Sequence, residues 1–186
     1  LYQQKRMTAE QAVSHIKSGD RVVVAHATGE PSALIDAMVK NADAYRNVEI
    51  VHMVAMGKGE YCLPEYAENF RHNSLFLGAS TRDAIAKGRG DFTPVYFSQI
   101  PELLREELHP NVALLHLSPP DEHGYCSYGV SVDYTKPAAE IADLRIAQIN
   151  PNMPRTLGDS FIHVSELDCI VEVDDPIIEL GQAKIG

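Results

Sequence analysis

The sequence predicts an α/β domain built on an open, mostly parallel sheet flanked by helices. Three observations carry this expectation. Short β-branched runs alternate with amphipathic stretches along the chain, and several of these runs are apolar at successive residues, as a strand covered on both faces requires. The connections between them are rich in Gly, Pro and acidic residues. At 186 residues the chain is the size of one domain. A domain of that size buries roughly 70% of its unfolded surface, so it needs no metal or disulfide staple.

Taken in order, Thr8-Ala9-Glu10-Gln11 is a capping box that opens a helix with Ala12, Val13 and Ile16 on one face and Gly19 as its stop. Residues 21–25 form the first buried strand. After Thr28-Gly29-Glu30-Pro31 comes an amphipathic helix with Ala33, Leu34, Ala37, Met38 and Ala42 in register. Strands are expected at 48–54, 74–77 and 95–97, with a short helix at 80–87 bounded by Gly88 and Gly90. A helix at 100–108 carries Pro101 in its first turn, where its missing N–H costs nothing. Residues 112–117 read as a buried strand, 119–129 as a polar loop, Pro137-Ala138-Ala139-Glu140 as a weak helix start, and 144–149 and 169–173 as late strands. From Asp174-Asp175-Pro176 onward the chain reads as leaving its domain. We therefore expect a domain over 1–176 and the start of a linker over 177–186.

Sixteen basic against 26 acidic residues give a net charge of −10, which argues against a partner such as nucleic acid or an anionic membrane surface. An anionic ligand would have to be held by local dipoles or a few placed side chains. Cys62, Cys126 and Cys169 form no CxxC pair, the usage of a reducing compartment. No apolar run nears the roughly 18 residues of a membrane span, and no apolar signal core follows the first residues. A cytoplasmic protein is expected.

Parallel sheets bind ligands beyond the carboxyl ends of their strands, so three loops come first. Thr28-Gly29-Glu30-Pro31-Ser32 reads either as an anion-receiving helix start or as an ordinary turn with a favourable first-turn acid. Met56-Gly57-Lys58-Gly59-Glu60 has a GxG with one Lys but lacks Walker spacing, and a plain flexible turn is the simpler reading. The loop from Ser118 to Gly129 places Asp121, Glu122, His123, Cys126 and Ser127 together. It lacks the spacing of a zinc knuckle, and His123, the candidate base for a Cys126 nucleophile, is nearer in sequence than such partners usually are, so a site-lining loop fits better than either a metal site or a cysteine nucleophile. His26, His52 and His116 lie among apolar neighbours and read as core or sheet-end histidines. The RGD tripeptide at Arg89-Gly90-Asp91 reads as part of a sharp loop.

In sequence order, Gly29-Glu30-Pro31, Gly88-Arg89-Gly90-Asp91-Phe92-Thr93-Pro94-Val95, Ser118-Pro119-Pro120-Asp121 with His123-Gly124-Tyr125-Cys126-Ser127, and Ile149-Asn150-Pro151-Asn152-Met153-Pro154-Arg155-Thr156 resemble the acetyl-CoA hydrolase/transferase family, in particular its 4-hydroxybutyrate and butyrate–acetate CoA-transferases. The resemblance runs over nearly the whole chain and implies a CoA-transferase-like fold. It implies transfer of CoA from an acyl-CoA to a short-chain carboxylate such as acetate, through an acyl–glutamyl anhydride and a glutamyl-CoA thioester. Coenzyme A is then a substrate, and no covalently bound cofactor or metal is expected. In the family the nucleophilic glutamate lies in a second domain, so no catalytic residue is assigned here and the chain alone is expected to be inactive. A partner C-terminal domain, and a homo-oligomer of the complete enzyme, are implied. The substrate pocket is expected to be lined by Gly29, Glu30 and Pro31 near the acyl group, with Gly57, Gly90, Phe92, His123, Gly124 and Ser127 shaping the wall. Rival readings are an acetyl-CoA hydrolase, a sugar-phosphate isomerase using Lys58, and a non-catalytic α/β binding module.

Overall fold

Residues apolar on both faces of a strand need two covering layers, and the fold supplies them. A computed structural model describes residues 1–182. In chain order the elements are α1 (Tyr2–Lys5), α2 (Ala9–Val13), β1 (Arg21–Val24), α3 (Ser32–Lys40), β2 (Val48–His52), β3 (Phe70–Ser74), α4 (Arg82–Ala86), β4 (Gly90–Phe92), α5 (Ile100–Glu106), β5 (Val112–Leu117), β6 (Tyr125–Ser127), α6 (Thr135–Ile141), β7 (Leu144–Ile149), β8 (Phe161–His163) and β9 (Cys169–Glu172). Seven strands make one parallel sheet in the order β4-β3-β2-β1-β5-β7-β9, and β6 pairs antiparallel with β8. The chain thus builds outward from β1 in one direction and then from β5 in the other. Between β1 and β5 the connections diverge, and the carboxyl edge at this switch point, here called the crevice, is where such sheets bind ligands.

Alternate side chains go to opposite faces. Val22, Val24, Ile50 and Leu114 pack with Ala12, Val13, Leu34 and Met38 of α2 and α3. Val23 and Val51 pack with Ile100 and Leu104 of α5 and Tyr134 beside α6. Further along the sheet, Ala113, Leu115, Ala147 and Ile149 meet Ala139, Cys126 and Ile162, so the β6–β8 pair covers this end. The capping box forms as expected, with Gln11 N donating to Thr8 Oγ1 at 3.2 Å and Thr8 N to Gln11 Oε1 at 3.0 Å.

Several expected boundaries shift, each for a physical reason. The first long helix ends at Val13, well before Gly19, whose φ of +83° turns the chain toward β1. The third strand is Phe70–Ser74 rather than 74–77. Its polar residues hid it, because Asn73 is spent on Glu49 and Thr93 and His72 on the Ile50 carbonyl. Residues 95–97 are not a strand: the edge strand is Gly90–Phe92, and Phe97–Gln99 is a 3-10 turn leading into α5. Gly90 permits this edge pairing, since an added Cβ would lie 2.7 Å from the His72 carbonyl and 2.6 Å from Ile85 Cδ1. The loop at 119–129 contains β6, and α6 opens at Thr135, placing Pro137 in its first turn. After β9, residues 173–182 carry no regular secondary structure. No helix among the described residues is long and apolar enough to cross a membrane.

Three histidines are almost wholly buried, His52, His72 and His116, and burial pushes their pKa values down to about 3, about 4 and about 4. Each is neutral in the folded chain, whereas the unfolded chain binds the proton below about pH 6.5. Stability therefore falls as pH drops through 6.5, by roughly 2 kcal/mol per imidazole at pH 5. The urea midpoint is expected to be clearly lower at pH 5 than at pH 7.5. His72→Leu, which removes a buried Nε2 that has no partner, should flatten that dependence. Equal midpoints at the two pH values would refute the assignment.

Candidate functional site

The site begins where β1 ends. Ala27–Gly29 makes a 3-10 turn, with Ala27 at φ +52°, a backbone state that residues with a Cβ rarely adopt. Gly29 lies so close to Ser131 that an added Cβ would sit 2.6 Å from the Ser131 Cβ. This tight turn, fixed again by Pro31 ahead of α3, drives the Glu30 side chain inward until only 3% of the residue is exposed.

A buried carboxylate needs donors. Glu30 Oε2 finds them in the loop after β2, accepting from Met56 N and Gly57 N, both at 3.0 Å. The GxG turn does cradle an anion, and the anion is this chain's own glutamate. Gly57 is glycine for a steric reason: a Cβ there would fall 2.1 Å from Glu30 Oε1. Burial raises the Glu30 pKa, the Gly57 and Met56 amides oppose the rise, and Asp36 adds to it, with a net shift upward. His52 Nε2 lies 3.9 Å from Glu30 Oε2 but is no ion-pair partner. It donates to the Ala25 carbonyl at 3.1 Å, its Nδ1 accepts from Tyr61 Oη at 3.1 Å, and it stays neutral. A small cavity of about 50 Å³ borders Glu30, Gly57, Ser32 and Asp36.

From the other side of the crevice, His116 Nδ1 contacts the Glu30 carbonyl at 3.2 Å, and Gln148 Oε1 accepts from Ala33 N at 3.1 Å. At the mouth, His26 Nδ1 lies 3.1 Å from Asp133 Oδ2, with the rings of Phe97 and Tyr134 packed 5.5 and 5.6 Å from the imidazole. Burial would raise the Asp133 pKa, but His26, Ser131 and Thr135 outweigh it and hold the carboxyl below its ordinary value. By sequence alone His26 reads as a core or sheet-end histidine. Its partner is 107 positions away, with no local spacing to announce it.

Of the residues expected to line a pocket, Gly29, Glu30, Pro31 and Gly57 come together. Gly90 and Phe92 do not join them, for they sit on β4, three strands from β1. Phe92 is half exposed there. His123 is exposed, and Gly124, at φ +87°, turns the chain against His163, leading into β6. Ser127 is fully buried and spent on structure, its Oγ meeting Thr156 O, Thr156 N and Gly129 N within 3.1 Å. Asp121 accepts from His123 N and Tyr125 N and pairs with Arg155. Burial pushes the Cys126 thiol up to about 12, unsuited to a nucleophile. Lys58 pairs with Asp36 at 2.9 Å, and within the RGD tripeptide Arg89 pairs with Asp83 and Asp91 with Arg71.

Gly57→Ala is expected to expel the Glu30 carboxylate from its two amides and to cost about 1–3 kcal/mol, the range for overpacking a tight site. Chemical denaturation of the chain measures this. Wild-type stability in Gly57→Ala would refute the interlock of the two loops.

The chain matches the family described as acetyl-CoA hydrolase/transferase N-terminal domain over residues 1–180. It is 58% identical to a 4-hydroxybutyrate coenzyme A transferase of Clostridium kluyveri, over the whole chain and 44% of that protein. It is 35% identical to a butyryl-CoA:acetate CoA-transferase of Anaerostipes caccae, over 97% of the chain and 42% of that protein. Among solved structures, RipA from Yersinia pestis superposes with a TM-score of 0.93 at 32% identity, covering 99% of this chain and 46% of RipA. A 4-hydroxybutyrate CoA-transferase from Porphyromonas gingivalis gives 0.82 at 34% identity, covering 96% and 42%. The chain therefore spans under half the length of each of these relatives. With its sheet, its switch-point crevice and this likeness taken together, the chain belongs to the acetyl-CoA hydrolase/transferase family, whose N-terminal domain it spans.

Proposed function

We propose that this chain is the N-terminal part of a CoA-transferase that moves CoA between an acyl-CoA and a short-chain carboxylate such as 4-hydroxybutyrate, butyrate or acetate. Family membership supports the reaction class, and the activities for which the relatives are named support the substrate class. The observation that carries the reading is the buried Glu30 carboxylate, held on two backbone amides beside the crevice where the strand order diverges. A carboxylate fixed in that way shapes a wall and sets its charge without attacking anything. We assign the nucleophilic glutamate to the remainder of the enzyme, as the family resemblance implies, with the thioester passing through a glutamyl-CoA intermediate.

In this scheme the chain's own residues position and exclude. The Glu30 loop, with Gly29, Pro31 and Gly57, forms the wall nearest the acyl group. Coenzyme A is a substrate, and neither a metal nor a covalent cofactor enters the scheme. Three buried, unpaired cysteines suit a reducing cytoplasm. The complete enzyme would add the second domain and self-associate.

Acyl exchange tests the proposal. The 186-residue chain with butyryl-CoA and labelled acetate is expected to form no labelled acetyl-CoA, and a form carrying the downstream half is expected to form it readily. Turnover by the chain alone would place a nucleophile within it and overturn the assignment. In the active form, Glu30→Ala is expected to change turnover or acceptor preference more than tenfold, and an unaltered rate with an unaltered acceptor profile would discard Glu30 as part of the acyl wall.

A further inference from the structure

The end of β1 and the ends of β5, β7 and β9 across the crevice are tied into a single hydrogen-bonded chain whose donors and acceptors are fixed. His116, 5% exposed on β5, lies with Nδ1 3.2 Å from the Glu30 carbonyl oxygen. A carbonyl only accepts, so Nδ1 carries the proton. A neutral imidazole has one N–H, which leaves Nε2 an acceptor. Asn150, fully buried just after β7, supplies the nearer of two donors: its Nδ2 is 3.1 Å from His116 Nε2, and Gln148 Nε2 follows at 3.4 Å. The second hydrogen of the same amide goes to the Asp175 carbonyl at 2.8 Å, and Asn150 Oδ1 accepts from Asn152 N at 3.0 Å. Flipping the Asn150 amide would set an oxygen against both the lone pair of Nε2 and the Asp175 carbonyl, so one orientation satisfies the set. Asn152, exposed, adds bonds from Nδ2 to Asp174 Oδ1 at 2.9 Å and to Asp175 O at 3.0 Å.

We propose that His116 is a positioning residue that couples the segment following β9 to the Glu30 loop, so that the placing of Asp174 and Asp175 helps set where Glu30 stands. Two opposed grips make this effective. The Glu30 carboxylate is held from the β2 side by Met56 and Gly57, while its backbone carbonyl is held from the β5 side by His116. Gln148, the neighbour of His116 across β5 and β7, fixes the first turn of α3 through Ala33 N. Releasing the segment after β9 frees one hydrogen of Asn150. The amide can then turn from Nε2, and one of the two grips on Glu30 slackens. The catalytic relevance of this coupling rests on the proposed role of the Glu30 loop as an acyl wall, but the coupling itself does not.

Hydrogen exchange on the intact 186-residue chain reads the coupling at the amides of Met56 and Gly57, which bond to Glu30 and not to His116 or Asn150. His116→Leu and Asn150→Ala are expected to speed exchange there about tenfold, the effect of one lost hydrogen bond. His116→Asn, which keeps an amide donor near the Nδ1 position, should restore most of the protection. Asn152→Ala is an exposed substitution that leaves the core intact, and it should speed exchange at the same two amides by about threefold. If the folded Asn152→Ala and His116→Leu chains protect Met56 and Gly57 as the wild type does, the coupling is refuted, and should the buried variants fail to fold, Asn152→Ala decides alone. In a form carrying the downstream half, the same substitutions should raise KM for the carboxylate acceptor severalfold with a smaller change in kcat. Altered exchange with unaltered KM would uphold the coupling and remove Glu30 from the acyl wall.

Discussion

The arrangement depends on one buried anion. Glu30 has its charge withdrawn from water and is left with two backbone amides, Met56 N and Gly57 N, as the donors to its side chain. Such a group is tolerated only where its donors are fixed, because an unpartnered buried charge costs far more than a hydrogen bond returns. That requirement runs outward through the molecule. It demands a residue without a Cβ at position 57, a tight turn at Ala27–Gly29 to aim the side chain inward, and adjacent parallel strands to bring the two loops side by side.

The sheet makes this possible through its winding order. Because β1 and β5 are neighbours from which the chain builds in opposite directions, the loop after β1 is not covered by the connection leaving β5. It can be gripped from both sides, by the β2 loop on its carboxylate and by β5 and β7 side chains on its backbone. The histidines in this region serve structure by remaining neutral. His52 and His116 each use one nitrogen as donor and the other as acceptor, which an imidazolium could not do. Burial keeps them so.

In the loop richest in chemistry, several side chains brace the loop itself. Between Ser118 and Gly129, Asp121 caps its own turn and binds Arg155, Ser127 ties three backbone groups, and Cys126 is sealed beneath the β6–β8 pair, while Glu122 and His123 stay exposed. Residue types alone did not separate a polar loop that binds from one that braces, because Asp, Ser and His serve both ends. The difference lies in whether their partners are already present.

Much of the fold was legible in the chain itself. The apolar-rich runs at β1, β2, β5, β7 and β9, the Thr8–Gln11 box and Pro101 in the first turn of α5 are local signals, and local energetics enforce them. The ordered loop motifs likewise carried the family. Sequence failed where a distant partner decides. Phe70–Ser74 reads as polar until Glu49 and Thr93 satisfy Asn73, and Gly90–Phe92 becomes a strand only because β3 offers it an edge. Composition and periodicity also placed Gly29-Glu30-Pro31 after a strand and Gly57 after another. That the glutamate of the first loop fills the anion cradle of the second was decided by tertiary structure alone, since strand order is what sets loops 26 residues apart within 3.0 Å.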